Sequence, residues 1–317
     1  MDEIKVSILC LTYNHEKYIQ NALEGFVMQK TNFKFEVLVH DDASTDKTAD
    51  IVREYEAKYP DIIKPLYQAE NQYSKGVKIS KVYQYPRARG KYLAWCEGDD
   101  CWTDPLKLQK QIDFLDNHSD YSMCVHRVRV NDIRTNTEAY IPVINSDRDY
   151  SVDEIIRSGT IFQLSSVVFR KELFMQKPEC FDARGFGDIQ LYIYGAICGK
   201  VRAMCDVMST YNHGTASSWT VNVARNREKS ILHSKEKLRM LKAVNEYYNY
   251  EYDKSLSYMI KRTEFNIAYE EKNKKELRRP EYKDFLKQRK MTEVKDFLRK
   301  HFPFLAKIKN SLNKLRR

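Results

Sequence analysis

The stretch WCEGDDCWTDP, residues 95 to 105, gathers Glu97, Asp99 and Asp100 within four positions, between an apolar run and an aromatic residue followed by a proline. Solvated surface charge is the ordinary reading of such a triplet. Here the apolar flanks anchor the loop at the edge of a core, where like charges about 4 Å apart repel by roughly 4 kcal/mol at an effective dielectric near 20. A second acidic pair, Asp41 and Asp42, ends another apolar run. Gathering these groups is costly unless a cation neutralises some of them. Mg2+ or Mn2+ commonly takes one or two protein carboxylates while substrate phosphates fill other positions, so the acidic loop reads as a handle for a diphosphate. Tyr13 can stack on a base and Asp42 can accept a hydrogen bond from it, which makes the set a nucleotide-diphosphate site. Neither a Gly-x-Gly-x-x-Gly turn nor a Walker-type loop is present, which leaves metal as the main phosphate binder.

The elements that must position these groups are legible as hydrophobic runs. VSILCLTYN reads as a first strand buried in a parallel sheet, after which Asn14 is expected to cap a helix with Tyr18, Ile19, Ala22, Leu23, Phe26 and Val27 at helical spacing. A second strand over roughly 35–40 leads through an acidic turn into a helix that stops near Pro60. IIKPLYQ reads as a third strand, residues 74–90 as a helix broken at Pro86, and KYLAWC as a fourth strand. The alternation predicts a mostly parallel, doubly wound α/β sheet, in which ligands bind beyond the carboxyl ends of the strands. Three of those ends are TYN, HDDASTD and EGDD. Beyond them come a helix over 104–117 with Thr103 as cap, the strand YSMCVHRVRV, a loop over 131–150, a short helix at 151–158 and the strand FQLSSVVF. FGDIQLYIYGAICGKVRAM reads as turn, helix and strand, and from about residue 225 the pattern is helical, broken at Pro280 and Pro303.

Composition sets further bounds. The mean hydropathy of −0.65, without any run of about 18 apolar residues, argues against a spanning helix, and the acidic start MDEIKV argues against a secretory signal. A cytoplasmic protein is expected. The seven cysteines have no CxxC pair, so zinc and disulfide frameworks fail on spacing. The net charge of +10 is confined to the tail: residues 272–317 hold 17 basic against 5 acidic side chains, and residues 1–271 hold 37 against 39. Phe304, Leu305, Ile308, Leu312 and Leu315 share one face of a tail helix whose basic residues lie beside or opposite it. Residues 300–317 are therefore expected either to lie on an anionic membrane surface or to dock or self-associate. The near-neutral remainder offers no basic groove, so nucleic acid is not an expected partner.

The segments VSILCLTYN, EVLVHDDASTDKT, ARGKYLAWCEGDDCWTDPLKLQKQ, FGDIQLY and VMSTYNHG resemble, in order and over about residues 4–215, the motifs of glycosyltransferase family 2, inverting enzymes of GT-A fold. The resemblance implies a GT-A domain over 1–220 and a basic helical region over 221–317. It places the nucleotide base at the first-strand end, Leu11 and Tyr13, and at Asp42. Metal and diphosphate fall to Glu97, Asp99 and Asp100, and the general base to Asp188. Leu11 stands where a proline is often found, and Glu97 where many members have Asp, which directs its longer carboxylate to ribose or to a metal-bound water. His213 either completes the metal site or is a loop histidine; Trp102 either packs the sugar or closes the core. Ser165, Ser166 and His126 are candidates for the acceptor side. The implied reaction is a single in-line displacement with inversion, using Mn2+ or Mg2+, a UDP-sugar donor and a glycan or lipid-linked glycan acceptor in surface polysaccharide assembly. The implied location is cytoplasmic, peripheral at the inner face of the cell membrane. The rival classes are a sugar-phosphate nucleotidyltransferase, which needs a Gly- and basic-rich loop where TYNHEKYI stands, and a nucleic-acid-binding protein carried by the tail.

Overall fold

The computed structural model describes residues 3–135, 137–182, 187–215 and 226–301, apart from the side chains of 293–301. Strand β1 (Ile4–Thr12) is buried from Val6 to Cys10, because β2 (Lys34–Asp41) and β4 (Tyr92–Trp95) flank it on either side, both parallel to it. The continuous apolar run that suggested a fully buried strand is what this central position requires. The third expected strand survives only as β3 (Leu66–Tyr67), parallel to β2, with an isolated bridge between Val37 and Ile63; Pro65 between them has no N–H for a ladder.

Beyond β4 the sheet continues through β9 (Val168–Arg170), antiparallel, to β6 (Tyr121–Asp132) and to β10 (Lys200–His213), which is parallel to β6. The strand β5 (Cys101–Trp102) closes that edge, giving the order β3-β2-β1-β4-β9-β6-β10-β5. Three expectations need correction. Residues 131–150 are not all loop: β7 (Thr137–Ile141) pairs with the end of β6, and β8 (Arg148–Tyr150) with β10. Their polar composition hides them, because they lie at the margin of the sheet. The expected strand FQLSSVVF shrinks to β9, since the carbonyls of Ser165 and Ser166 are taken by the Trp102 indole and the Gln111 amide, each at 2.9 Å. Likewise residues 80–87 form a π turn followed by a 3-10 turn instead of a regular helix.

Side chains alternate across the sheet with period two. Val6, Ile8 and Cys10 of β1 and Tyr92, Ala94 and Cys96 face a layer formed by α1 (Ile19–Val27), α2 (Thr48–Lys58) and α3 (Lys107–Asn117). Leu9, Leu93 and Trp95 face the other layer, with α4 (Val152–Ser158), α5 (Lys171–Met175) and α6 (Gly187–Cys198). Ser151 closes a capping box on α4 with Glu154. Asn14 does not cap α1. It stands at φ +55°, and its side-chain oxygen accepts from Thr45 N at 2.8 Å, tying the first polar turn to the second.

The C-terminal hairpin of α7 (Arg227–Tyr247) and α8 (Asp253–Glu270) puts Met240, Leu241, Val244, Leu256 and Met259 into the same core as α4 and α6. The final α9 (Lys283–His301) packs through Phe285 on Phe265, joined by Tyr282 from the 3-10 turn before it. Among the described residues no helix is long and apolar enough to cross a membrane. The amphipathic face read over 300–317 lies almost wholly outside the described residues.

Candidate active site

The parallel register of β1, β2 and β4 brings Thr12 beside Asp41 and Leu9 beside Trp95, so the polar turns after all three strands share one rim. The loop after β4 runs on along β1: Cys96 N donates to Leu9 O at 3.2 Å and Gly98 N to Leu11 O at 2.9 Å. A Cβ at Gly98 would stand 2.7 Å from Thr12 Oγ1, so a side chain there would push the loop off the strand. Asp100 N donates to Glu97 O at 3.1 Å, closing a four-residue turn over Gly98 and Asp99. From the opposite side the end of β10 holds this turn. Asn212 Nδ2 donates to Asp99 O at 2.9 Å, Asn212 N to Asp100 Oδ1 at 3.3 Å, and Thr215 Oγ1 to Asp99 Oδ2 at 3.4 Å.

The carboxylates of this rim have little matching charge among the described residues. No Lys or Arg ion pair reaches Glu97, Asp99 or Asp100 among the described residues; the nearest basic group is His15, with Nε2 4.0 Å from Asp99 Oδ2. Burial holds that imidazole below its ordinary pKa, against the pull of Asp99. Glu97 reaches solvent, although the surrounding chain desolvates its carboxyl. Burial pushes its carboxyl up to about 8, with the charges of Asp99 and Asp188 adding to the effect. The buried Asp100 is pushed well above the carboxylate range, again by burial and then by Asp99 and Glu97. Asp188, in the first turn of α6, accepts from Ile189 N at 2.7 Å; burial raises its pKa, opposed by that bond and by the charge of Lys237.

The sequence model of glycosyl transferase family 2 matches residues 7–175, more than half of the chain. The chain belongs to this family. An uncharacterized protein of Mycobacterium tuberculosis is 38% identical over 217 residues, 68% of this chain and 60% of the relative, so the family-2 chain spans less than two thirds of that relative's length. Two solved structures share its fold. Staphylococcus aureus TarS in complex with UDP-GlcNAc has a TM-score of 0.53 at 21% identity, covering 80% of this chain and 74% of that one. A mannosyltransferase from Pyrobaculum calidifontis, in complex with GDP-Man and Mn2+, has a TM-score of 0.52 at 18% identity, covering 75% and 65%. The architecture of the family-2 chain is GT-A, as its motifs implied.

Within that frame the site residues read from the sequence divide. Glu97, Asp99 and Asp188 lie close enough for the charges of Asp99 and Asp188 to raise the Glu97 carboxyl. Tyr13 is 42% exposed at the end of β1, open to a flat partner, whereas Leu11 meets the acidic loop through its carbonyl. Asp42 is buried, and its two oxygens accept from Gln72 N at 2.8 Å and Tyr73 N at 3.0 Å, which fixes the loop after β3 beside the rim. The sugar-packing reading of Trp102 is corrected: it is 2% exposed, crosses Phe26 edge to face at 5.1 Å, and serves the core. Ser165, Ser166 and His126 are fully buried and line no open surface. Asp100 is structural, joining the turn to β10.

His213 is engaged by Asp132, Nδ1 to Oδ2 at 3.2 Å, and no group of three His, Cys, Asp or Glu side chains able to hold a metal exists among the described residues. The expected set of Asp99, Glu97 and His213 is therefore not assembled as three ligands. The donor chemistry still fits a hard divalent ion that takes one or two carboxylates and leaves other positions to phosphate and water. Thr12 Oγ1, His15 Nδ1 and Asp41 Oδ1, all buried near this rim, have no hydrogen-bond partner. Sequence reasoning missed His15, Asn212, Thr215 and Tyr192. The last lies one turn after Asp188 on α6, with a buried hydroxyl that has no partner. Only its i+4 spacing from Asp188 could have flagged it.

Proposed function

We propose that the chain is an inverting, divalent-metal-dependent glycosyltransferase that moves a sugar from a nucleotide-sugar donor, a UDP-sugar, to a hydroxyl of a glycan or lipid-linked glycan acceptor in surface polysaccharide assembly. One observation carries the reading: in a family-2 chain, Glu97 and Asp99 stand together on the rim beyond the strand ends with no Lys or Arg ion pair among the described residues. The UDP-GlcNAc in the TarS structure and the GDP-Man and Mn2+ in the mannosyltransferase structure support a nucleotide-sugar donor and a divalent ion.

In this reading Tyr13 stacks on the base and Asp42, clamped by the loop after β3, accepts a hydrogen bond from it. Asp99 and Glu97 are the residues that would hold the ion, which when bound supplies charge neutralisation for the departing nucleoside diphosphate. Asp188 takes the proton of the acceptor hydroxyl as that oxygen bonds to the anomeric carbon and the carbon–phosphate oxygen bond breaks on the opposite face. A second protonating carboxylate is unnecessary, because a nucleoside diphosphate leaves without protonation, unlike the alcohol expelled in glycoside hydrolysis. Its raised pKa keeps Asp188 a stronger base than a solvated carboxylate.

The test is a thermal-shift panel of nucleotide sugars with and without Mn2+, followed by assay of nucleoside diphosphate release. Stabilisation follows RT ln(1 + [L]/Kd), so the donor declares itself by the largest metal-dependent shift. Release of pyrophosphate, or shifts independent of metal, would overturn the reading. Residues 300–317 are proposed to hold the enzyme at an anionic inner membrane face; sedimentation with anionic vesicles, lost on their deletion, checks this.

A further inference from the structure

The turn after β1 carries an imidazole to the acidic loop. His15 N donates to Thr48 Oγ1 at 2.8 Å, and its carbonyl accepts from Tyr18 N at 2.8 Å and Ile19 N at 2.9 Å. Its backbone is thereby pinned between the start of α1 and the first residue of α2. The ring stands over the turn formed by Gly98 and Asp99. Nδ1 is 3.0 Å from where a Cβ at Gly98 would stand, and Nε2 is 4.0 Å from Asp99 Oδ2. Glycine at position 98 leaves the ring its place.

Neither ring nitrogen has a hydrogen-bond partner among the described residues. The 4.0 Å to Asp99 is too long for a hydrogen bond, yet it suits an ion held between the two atoms. With bonds of about 2.1 Å, two ligands of one octahedral ion stand about 3.0 Å apart when adjacent and about 4.2 Å when opposite. A second orphan faces the same turn. Thr12 is 2% exposed, and its Oγ1 has no partner and lies 2.7 Å from the same Cβ position. The other imidazole expected at this site is occupied differently, since His213 Nδ1 meets Asp132 Oδ2 at 3.2 Å. An unused imidazole nitrogen, fixed by two helix starts, thus stands at ligand spacing from the carboxylate assigned to the ion.

We propose that His15 Nε2 is a ligand of the divalent ion beside Asp99, and that this nitrogen tilts the site towards first-row transition ions and away from Mg2+. The inference rests on the reading of Asp99 as a metal-binding carboxylate. Two protein ligands leave the remaining positions to diphosphate oxygens and water. Mg2+ is held by oxygen, whereas imidazole binds transition ions with an affinity that rises from Mn2+ to Co2+.

The experiment loads the full chain with UDP and Mn2+ and records pulsed electron paramagnetic resonance, with ordinary and with isotope-labelled histidine. A bound imidazole gives a nitrogen coupling to the manganese. That coupling is expected to shift on labelling, to vanish in His15→Gln and to persist in His213→Gln. In calorimetric titrations with UDP present, His15→Gln should weaken Mn2+ and Co2+ by about tenfold or more and change Mg2+ by less than about threefold, because the amide oxygen is a ligand that Mg2+ accepts. A merely structural role for His15 would weaken all three ions alike, and that result overturns the inference. So does bound Mn2+ without a histidine coupling in the natural chain, a coupling that survives His15→Gln, or one lost in His213→Gln. Each of these leaves the transferase reading standing. The labelled natural chain and His213→Gln still decide if His15→Gln does not fold. Failure of the natural chain to bind Mn2+ in the presence of UDP removes both readings.

Discussion

Two carboxylate sites at opposite edges of the sheet are built on contrary principles. At the edge that leads into β4, Glu36 is 1% exposed and fully partnered. Ser7 Oγ donates to it at 2.8 Å, Arg89 N at 2.9 Å, and the Arg89 guanidinium at 2.8 and 2.6 Å. Gly90 lets the chain pass so close to β1 that a Cβ there would stand 2.4 Å from Ser7 N. At the edge where the strands end, Glu97 and Asp99 stand together with no such guanidinium or ammonium among the described residues. Among those residues the chain supplies a counter-charge to Glu36 and none to the two carboxylates we propose as ligands.

Each prediction tries to erase that contrast. The largest effect is expected from Asp188→Asn, which should lower kcat by about 10³-fold or more while UDP binding and melting temperature hold; near-normal turnover removes the base assignment. Next, Asp99→Asn should cost about 10²-fold in kcat/KM, and raising Mn2+ should recover part of it, as read from metal titrations of the initial rate. At the opposite edge Arg89→Met should act on stability alone. We expect a loss of about 1–2 kcal/mol in denaturant unfolding, below that of a fully buried pair because Arg89 is open to solvent, with unchanged Mn2+ affinity.

The smallest effect carries a definite sign. The Glu97 carboxyl is raised in the folded chain to about 8, above the ordinary value near 4.3, so without metal the folded state binds this proton more tightly than the unfolded one. Its contribution to stability therefore falls as pH rises between those values. Glu97→Gln should be stabilising relative to the natural chain without metal, increasingly so from pH 5 to pH 9, and the gain should shrink when Mn2+ is added. A gain that falls with rising pH contradicts the account.

Much of this was legible in the sequence because the informative features are local. The buried run of β1, the acidic turns after β2 and β4, and the capped start of α4 each lie within a few consecutive residues. What stayed hidden depends on distant partners. β7 and β8 are polar strands recognisable only by what they pair with, and Asn14 looks like a cap until Thr45 is seen to take its side chain. The same holds at the site, where Asn212 and Thr215 hold a turn more than a hundred residues away. Trp102 was ambiguous for a simpler reason, since an indole beside an acidic loop has the same composition whether it faces a sugar or Phe26.

The most direct test of the central claim is calorimetric titration of UDP into the purified chain with excess Mn2+ and with excess EDTA. The account predicts measurable affinity with the ion and at least about a hundredfold loss without it, since the diphosphate would then meet unneutralised carboxylates. Equal affinity in EDTA would mean that Glu97 and Asp99 hold no cation, and would contradict it.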